Sequence, residues 1–382
     1  MAGTVQGPFS AASQPALQAV LDELIRVEGL RPEPQKSASQ TQQDVQNLLR
    51  AWAEGDSSAL GPHGAQLIAS LHSGPGIRAA LTSLQAQSFP LFDGTGKLGR
   101  YLGVISQALG QGGTCIPAGI LFAEYPTHRF NACVVSTAHG DLCLMNAGLL
   151  KLLYHVSVAA NHAYEDDGRL GAIDSAAVKV ATALVISVVA QYLGARAHVH
   201  VQAIGRQLPP EGLYDATALA YSMRLFVLAH EIGHVALGHT QIEDEQTVVC
   251  VLAETAVISR EREDEFAADR FAQDVLLSID RQGLFAEPVA AGGLAFLMVH
   301  AIVQEVQATL GQATEATVAS AESHPPTMER IKALDASLGA AYGDGSREAS
   351  GPCVVLQRIL MAIQHTEIAP AGDSVELRPR VA

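Results

Sequence analysis

One stretch of the chain, 226-FVLAHEIGHVALGH-239, places three imidazoles and a carboxylate in an otherwise apolar run. Charged and imidazole side chains are rarely buried without a partner that replaces the lost contacts with water. The spacing of the apolar residues predicts a helix over 215–237, with the polar residues on a buried part of it. The fold must therefore bring a partner to these polar groups inside the protein.

His230, Glu231 and His234 form an HExxH motif. Positions four apart lie on the same face of an α-helix, so the two imidazoles can bind one zinc ion. Glu231 follows the first ligand and can act as general base toward a zinc-bound water, whose pKa zinc lowers to about 7. The alternative is a core helix in which these polar residues are incidental.

Zinc needs a third protein ligand, and its identity separates the classes of zinc peptidase. The metzincin arrangement has a glycine three positions and a histidine six positions after the second ligand. This chain has Leu237 and Thr240 there, so that class is excluded. His239 would lie about 140° around the helix from His234. We therefore interpret Gly238 and His239 as the end of the helix.

A second helix is predicted downstream, in 259-SREREDEFAADRFAQDVL-276. Glu265 and Asp269 are four positions apart and share one face, while Ala267 and Ala268 permit close helix packing. We assign Glu265 as the third zinc ligand. We assign Asp269 as the acceptor that fixes the tautomer of a zinc-bound imidazole. The alternative is that these acidic residues belong to the charged, solvent-exposed first turns of the helix.

Three segments in this order, HEIGH, EFAAD and 323-SHPPTMERI-331, resemble the gluzincin zinc peptidases, particularly the family of HtpX heat-shock proteases and CAAX-prenyl proteases. The resemblance covers roughly residues 220–335. It implies a zincin-like catalytic domain that binds one zinc ion through His230, His234 and Glu265.

The resemblance also makes His324 a candidate catalytic residue, which would hydrogen-bond substrate or the developing oxyanion. The alternative is a turn histidine in front of two prolines that begin a helix. Arg330 and Tyr221 are weaker candidates for the same role, and a structural role is favoured for each.

Composition limits the partners and the location. A formal net charge of −15 and the lack of a basic block argue against nucleic acid and anionic membranes. Five scattered cysteines without a CxxC pair indicate reduced thiols and a cytoplasmic location. The apolar runs 180–190 and 288–303 are shorter than the roughly 20 residues of a spanning helix, so we expect core helices and no membrane span. The run 141–153 is loosely similar to soluble HExxH peptidases of the Lit type.

The patterns along the chain predict a mainly α fold with a small β-sheet, of the α+β class. Two strands are expected at 129–137 and 141–145, and the glycine-rich passage 94–113 is expected to be loop-rich. Besides 215–237, the predicted helices include 14–30, 146–163, 174–194, 258–278, 288–309, 326–338 and 353–365.

We divide the chain into three regions on the same grounds. Residues 1–90 form a helical N-terminal region of unknown role, and residues 91–340 form the metallopeptidase domain. Residues 341–382 form a C-terminal helix and a flexible tail.

The predicted function is that of a soluble zinc metallo-endopeptidase acting on a protein or peptide. Glu231 would take a proton from the attacking water and pass it to the leaving amine. Two alternatives are an inactive interaction protein stabilised by zinc and a zinc hydrolase of a non-peptide amide. The first would have no need of Glu231 as a base, whereas the sequence does not separate the second from a peptidase.

Overall fold

The computed structural model of the chain describes residues 4–5, 14–27, 29–30, 96–127, 130–164, 175–193, 208, 210–240, 242–243, 262–285, 288–310, 325–343, 351–371 and 374–379. Within these residues the chain is mainly helical and has a small mixed sheet, which confirms the α+β class.

The sheet has the strand order β1-β2-β4-β3-β5. Its strands are β1 (Thr4–Val5), β2 (Ile120–Tyr125), β3 (Ala132–Thr137), β4 (Gly140–Asn146) and β5 (Ile242–Glu243). The antiparallel hairpin of β3 and β4 is the pair of strands expected from the sequence. Strand β2 pairs parallel to β4 and was not predicted. Its residues are nearly all buried, so it lacks the alternation of apolar and polar residues that marks a half-exposed strand.

Eight of the nine helices that the structure describes were predicted from the sequence, in the same order. They are α1 (Gln14–Val27), α2 (Gly96–Gln111), α3 (Ala147–Asn161), α4 (Ser175–Tyr192), α5 (Pro210–Ala236), α6 (Arg262–Arg281), α7 (Gly292–Thr309), α8 (Thr327–Tyr342) and α9 (Gly351–Gln364). Each of the eight predicted helices named above is present, with its ends shifted by a few residues. Two further helices that the sequence predicts, at 42–54 and near 77–88, lie outside the described residues.

Helix α2 corrects the expectation of loops across residues 94–113. Glycine disfavours a helix by about 1 kcal/mol relative to alanine, and this cost suggested loops. The buried residues nevertheless recur at helical spacing, as at Leu98, Tyr101, Ile105 and Ala108, while Gly103 faces solvent. Burial of that apolar face outweighs the low helix propensity of the glycines.

Alternate residues of the sheet face two different layers. Leu121 and Ala123 pack with Leu17 and Leu24 of α1 on one face. On the other face, Phe122 joins the main core built by the remaining helices. The division of the chain into three regions stays a prediction.

The two apolar runs that were considered as possible membrane spans, 180–190 and 288–303, belong mainly to core helices. The run 180–190 lies in α4 and most of 288–303 lies in α7. Val185, Val189 and Leu297 on these helices are fully buried in the main core, which confirms the expectation. Among the described residues, no helix has both the length and the apolar character needed to cross a membrane.

The segment after α9 forms an antiparallel hairpin of β6 (Thr366–Ala371) and β7 (Ser374–Pro379), where the sequence analysis assigned no strand. Its sequence, TEIAPAGDSVELRP, carries few large apolar residues and two prolines. Such a composition gives little strand signal.

Helix α7 approaches α5 closely through two glycines. A Cβ added at Gly292 would overlap the carbonyl oxygen of Ser222, and one added at Gly293 would overlap the ring of Phe226. Ser222 and Phe226 precede the HExxH residues on the same helix by one to two turns. The glycines therefore set how closely α7 supports the helix that carries the motif.

We expect Gly292→Ala to lower the free energy of unfolding by about 1–3 kcal/mol, because backbone must move to admit the methyl group. The matched control is Gly103→Ala in α2, where an added Cβ meets nothing within 4 Å. This change should raise stability by up to about 1 kcal/mol through helix propensity. Urea unfolding of both variants measures the difference, and equal effects in the two would contradict the packing argument.

Candidate metal centre

The site lies where α5 packs against α6. Small residues let the two helices come close, since Ala268 and Ala272 are fully buried and Gly233 faces Phe271. A Cβ at Gly233 would lie 3.1 Å from Cδ1 of Phe271, so glycine suits this position of the HExxH helix. The polar residues of α5 consequently meet α6 in the interior of the protein.

Three side chains converge at this interface. Nε2 of His230 lies 3.1 Å from Nε2 of His234. One carboxylate oxygen of Glu265 lies 3.6 Å from Nε2 of His230, and the other lies 3.5 Å from Nε2 of His234. All three residues are buried and form a group able to hold a metal ion.

The donor set and its spacing fit zinc. Zinc binds imidazole nitrogen and carboxylate oxygen at about 2.0–2.2 Å in a tetrahedron, which places neighbouring ligand atoms about 3.3–3.6 Å apart. The observed separations are 3.1 Å between the two nitrogens, and 3.5 and 3.6 Å from these nitrogens to the two different oxygens of Glu265. Two nitrogens and a carboxylate from two packed helices therefore form a donor set of the kind and spacing that zinc binds.

Among the described buried groups of the site, acidic side chains outnumber basic ones when both imidazoles are neutral, as metal binding requires. Glu231, Glu265, Asp269 and Arg330 are all buried. With neutral imidazoles, three carboxylates and one guanidinium carry −3 + 1 = −2. Buried charge is costly unless it is compensated. A divalent cation would supply the missing charge of +2.

Asp269 links the first histidine to a third helix. Its Oδ1 lies 2.9 Å from Nδ1 of His230. Arg330 of α8 donates two hydrogen bonds of 2.7 Å to the carboxylate of Asp269, and its Nη1 lies 3.4 Å from Glu265. Burial alone would raise the pKa of Asp269, but Arg330 and His230 hold it below its ordinary value. Asp269 therefore stays a carboxylate and can accept the Nδ1 proton of His230.

The carboxylates around His230 favour positive charge at this place. Burial lowers the pKa of the imidazole, but contacts with Asp269 and Glu265 outweigh that effect and raise it to about 9. An environment that stabilises a cation so strongly is the electrostatic setting that a metal ion requires.

Of the other candidate residues named from the sequence, Tyr221 lies away from the triad. Tyr221 packs against Tyr101 and Phe285, with ring centroids 4.7 and 4.4 Å away. It precedes His230 by nine residues on α5, which is about 14 Å along the helix axis, so it is not brought to the triad. His324 lies outside the described residues.

Arg330 of α8 lies buried beside the triad. From the sequence, a structural role is favoured for it over a catalytic one, and its buried guanidinium contacts both Asp269 and Glu265. The only signal for it was the motif SHPPTMERI, because no spacing rule connects α8 to the HExxH helix.

The structure confirms that α5 ends before Gly238, but His239 does not point away from the site. Its Nδ1 lies 3.2 Å from Nδ1 of His234. The expected separation of about 140° assumes a continuing helix. Gly238 has φ +74°, which reverses the chain and returns His239 toward the last turn.

Comparison with known families adds an independent observation. Residues 209–345 match the family model Peptidase U49. The matched segment contains α5 to α8 and therefore all of the side chains that converge at the site. The match supports a peptidase. It is not specific to the HtpX and CAAX-prenyl protease family, so that finer relationship stays a prediction. No curated protein and no solved structure matches the chain.

We expect Glu265→Gln to weaken zinc binding by more than about 100-fold. Mutation of residues that only hydrogen-bond to a metal ligand lowers metal affinity about 10- to 100-fold, and loss of a ligand itself should lower it further. The matched control is Glu263→Gln, an exposed residue in the same first turn of α6. Zinc affinity is measured by competition with a chromophoric chelator. Equal affinities in the two variants would show that Glu265 is not a ligand.

Proposed function

We propose that the protein is a zinc-dependent metallo-endopeptidase that binds one zinc ion through His230, His234 and Glu265. The observation that carries the proposal is the buried triad, whose nitrogen and oxygen atoms lie 3.1–3.6 Å apart on two packed helices. The peptidase family match over the same helices supports the reaction class.

The chain's own residues have distinct roles in this proposal. When bound, zinc polarises a peptide carbonyl and activates water as a nucleophile. His230 and His234 hold their ring nitrogens toward one point from successive turns of a rigid helix. Glu231 is buried beside the first ligand, takes a proton from the attacking water and delivers it to the leaving amine.

Burial of Glu231 favours hydrolysis over a purely structural role for zinc. A structural site is closed by its ligands and has no use for an added carboxylate. A buried carboxylate has a cost in free energy, which catalysis would explain. The peptidase family match favours a peptide over a non-peptide amide as the substrate.

His324 is part of the proposal as a residue that contacts substrate. It precedes α8 by three positions, and α8 carries the arginine that contacts Asp269 and Glu265. This order along the chain, together with the sequence motif, supports the assignment. The substrate is proposed to be a protein or peptide, and the cytoplasmic location stays a prediction.

Glu231→Gln should retain zinc and lose peptidase activity by about 100-fold or more, because the general base is removed while the ligands stay in place. Activity is measured by mass spectrometry as new amino termini in a proteome-derived peptide library. Glu263→Gln, which changes an exposed carboxylate, is the control and should cleave like the wild type.

Two results would contradict the proposal. One is a zinc-loaded wild type that produces no new amino termini in the library. The other is equal cleavage by the wild type and Glu231→Gln, which would show that the observed activity does not use this site.

A further inference from the structure

The turn after α5 directs a third imidazole back to the site. The N–H of His239 donates a hydrogen bond of 2.8 Å to the carbonyl of His234, which closes the last turn. This closure needs the left-handed conformation of Gly238, at φ +74°, which residues with a side chain rarely adopt. The backbone thus places the ring of His239 beside that of His234.

The side chain of His239 connects α5 to the start of α6. Its Nδ1 lies 3.2 Å from Nδ1 of His234, and the two rings are 5.3 Å apart at an angle of 66°. Its Nε2 lies 3.4 Å from Oδ1 of Asp264, the residue before the proposed ligand Glu265. The side chain of His239 is only 11% exposed and that of Asp264 is 29% exposed.

The chemistry of neutral imidazole allows one assignment that satisfies all of these contacts. If His234 presents the lone pair of Nε2 to a metal ion, its proton must be on Nδ1. That proton faces Nδ1 of His239, which must then be the acceptor. The proton of His239 is consequently on Nε2, where it faces the carboxylate of Asp264.

We propose that His239 is a positioning residue for His234, held in the required tautomer by Asp264. The inference rests on the proposed function, since it concerns how a zinc ligand is oriented. In this assignment each proposed histidine ligand has a neighbour that accepts the proton of its other ring nitrogen. That neighbour is Asp269 for His230 and His239 for His234. Outer partners of this kind fix ring orientation and strengthen metal binding.

The spacing on α6 explains how one helix serves both histidines. Glu265 and Asp269 are four apart and share one face of the helix, while Asp264 precedes Glu265 and lies about 100° around the helix from it. Asp264 contacts His239, while Asp269 contacts His230 at the other end of the motif. Two adjoining faces of α6 thereby supply the proposed ligand Glu265, the carboxylate of Asp264 next to His239, and the carboxylate of Asp269 next to His230.

Two substitutions at His239 separate a positioning role from a packing role. In His239→Phe a ring of similar size remains without an acceptor, whereas His239→Asn offers an oxygen close to the place of Nδ1. We expect zinc affinity to fall about 10- to 100-fold in His239→Phe and to stay close to wild type in His239→Asn. The control is His365→Phe, an exposed histidine just after α9, which should bind zinc like the wild type.

Zinc affinity is measured on the full chain by competition with a chromophoric chelator, and urea unfolding without metal checks that each variant folds. As a second measurement, nitrogen-resolved NMR of the zinc-bound wild type reports which ring nitrogen carries the proton. We expect His234 to be protonated on Nδ1 and His239 on Nε2 alone. This readout does not depend on whether His239→Phe folds.

The outcomes distinguish the inference from the proposed function. A wild type that binds no zinc overturns both. A zinc-binding wild type whose affinity is unchanged in His239→Phe overturns the positioning role only, as does a His239 ring protonated on Nδ1. Loss of affinity in both His239→Phe and His239→Asn would show that the ring acts by packing, which also overturns the inference.

Discussion

The ion pair between Arg330 and Asp269 is the interaction on which the rest of the site depends. Two hydrogen bonds of 2.7 Å join α8 to α6, and Asp269 in turn lies 2.9 Å from Nδ1 of His230 on α5. Three helices are thus connected through one buried carboxylate. Removal of one partner from a buried pair typically costs about 3–5 kcal/mol, because the remaining charge loses its compensation. Arg330 contributes one positive charge against three buried carboxylates of the described residues, and with neutral imidazoles a divalent cation would balance the remaining charge of −2.

The fold around this interface explains why the ligands are rigidly held. Helix α5 is buried over most of its length, with α3, α6 and α7 against it and the sheet at one side. Glycines at 292 and 293 bring α7 close to its middle, and Gly233 brings α6 close to the motif itself. Metal sites bind tightly when their ligands are positioned before the ion arrives, and helices supply more precise positions than loops. The same close packing limits which side chains are tolerated on α5.

Much of this arrangement could be predicted from the sequence, because HExxH and the pair Glu265 and Asp269 follow the helical period. The hairpin of β3 and β4 and the long helices also have clear periodic patterns. The misses have identifiable causes. Helix α2 was missed because glycines on its exposed face lower the helix propensity of the segment. Strand β2 was missed because burial on both faces removes the alternation of apolar and polar residues. The contacts of Arg330 and His239 depend on tertiary packing and on one left-handed glycine, which no spacing rule on a continuous helix describes.

The central claim is that a zinc ion compensates the buried negative charge at the triad. Crystals of the protein grown with zinc, and diffraction data collected above and below the zinc absorption edge, test it most directly. The account predicts one anomalous peak per chain within about 2.0–2.2 Å of Nε2 of His230, Nε2 of His234 and a carboxylate oxygen of Glu265. A map with no peak among these three residues, or with a peak held by other side chains only, would contradict the account.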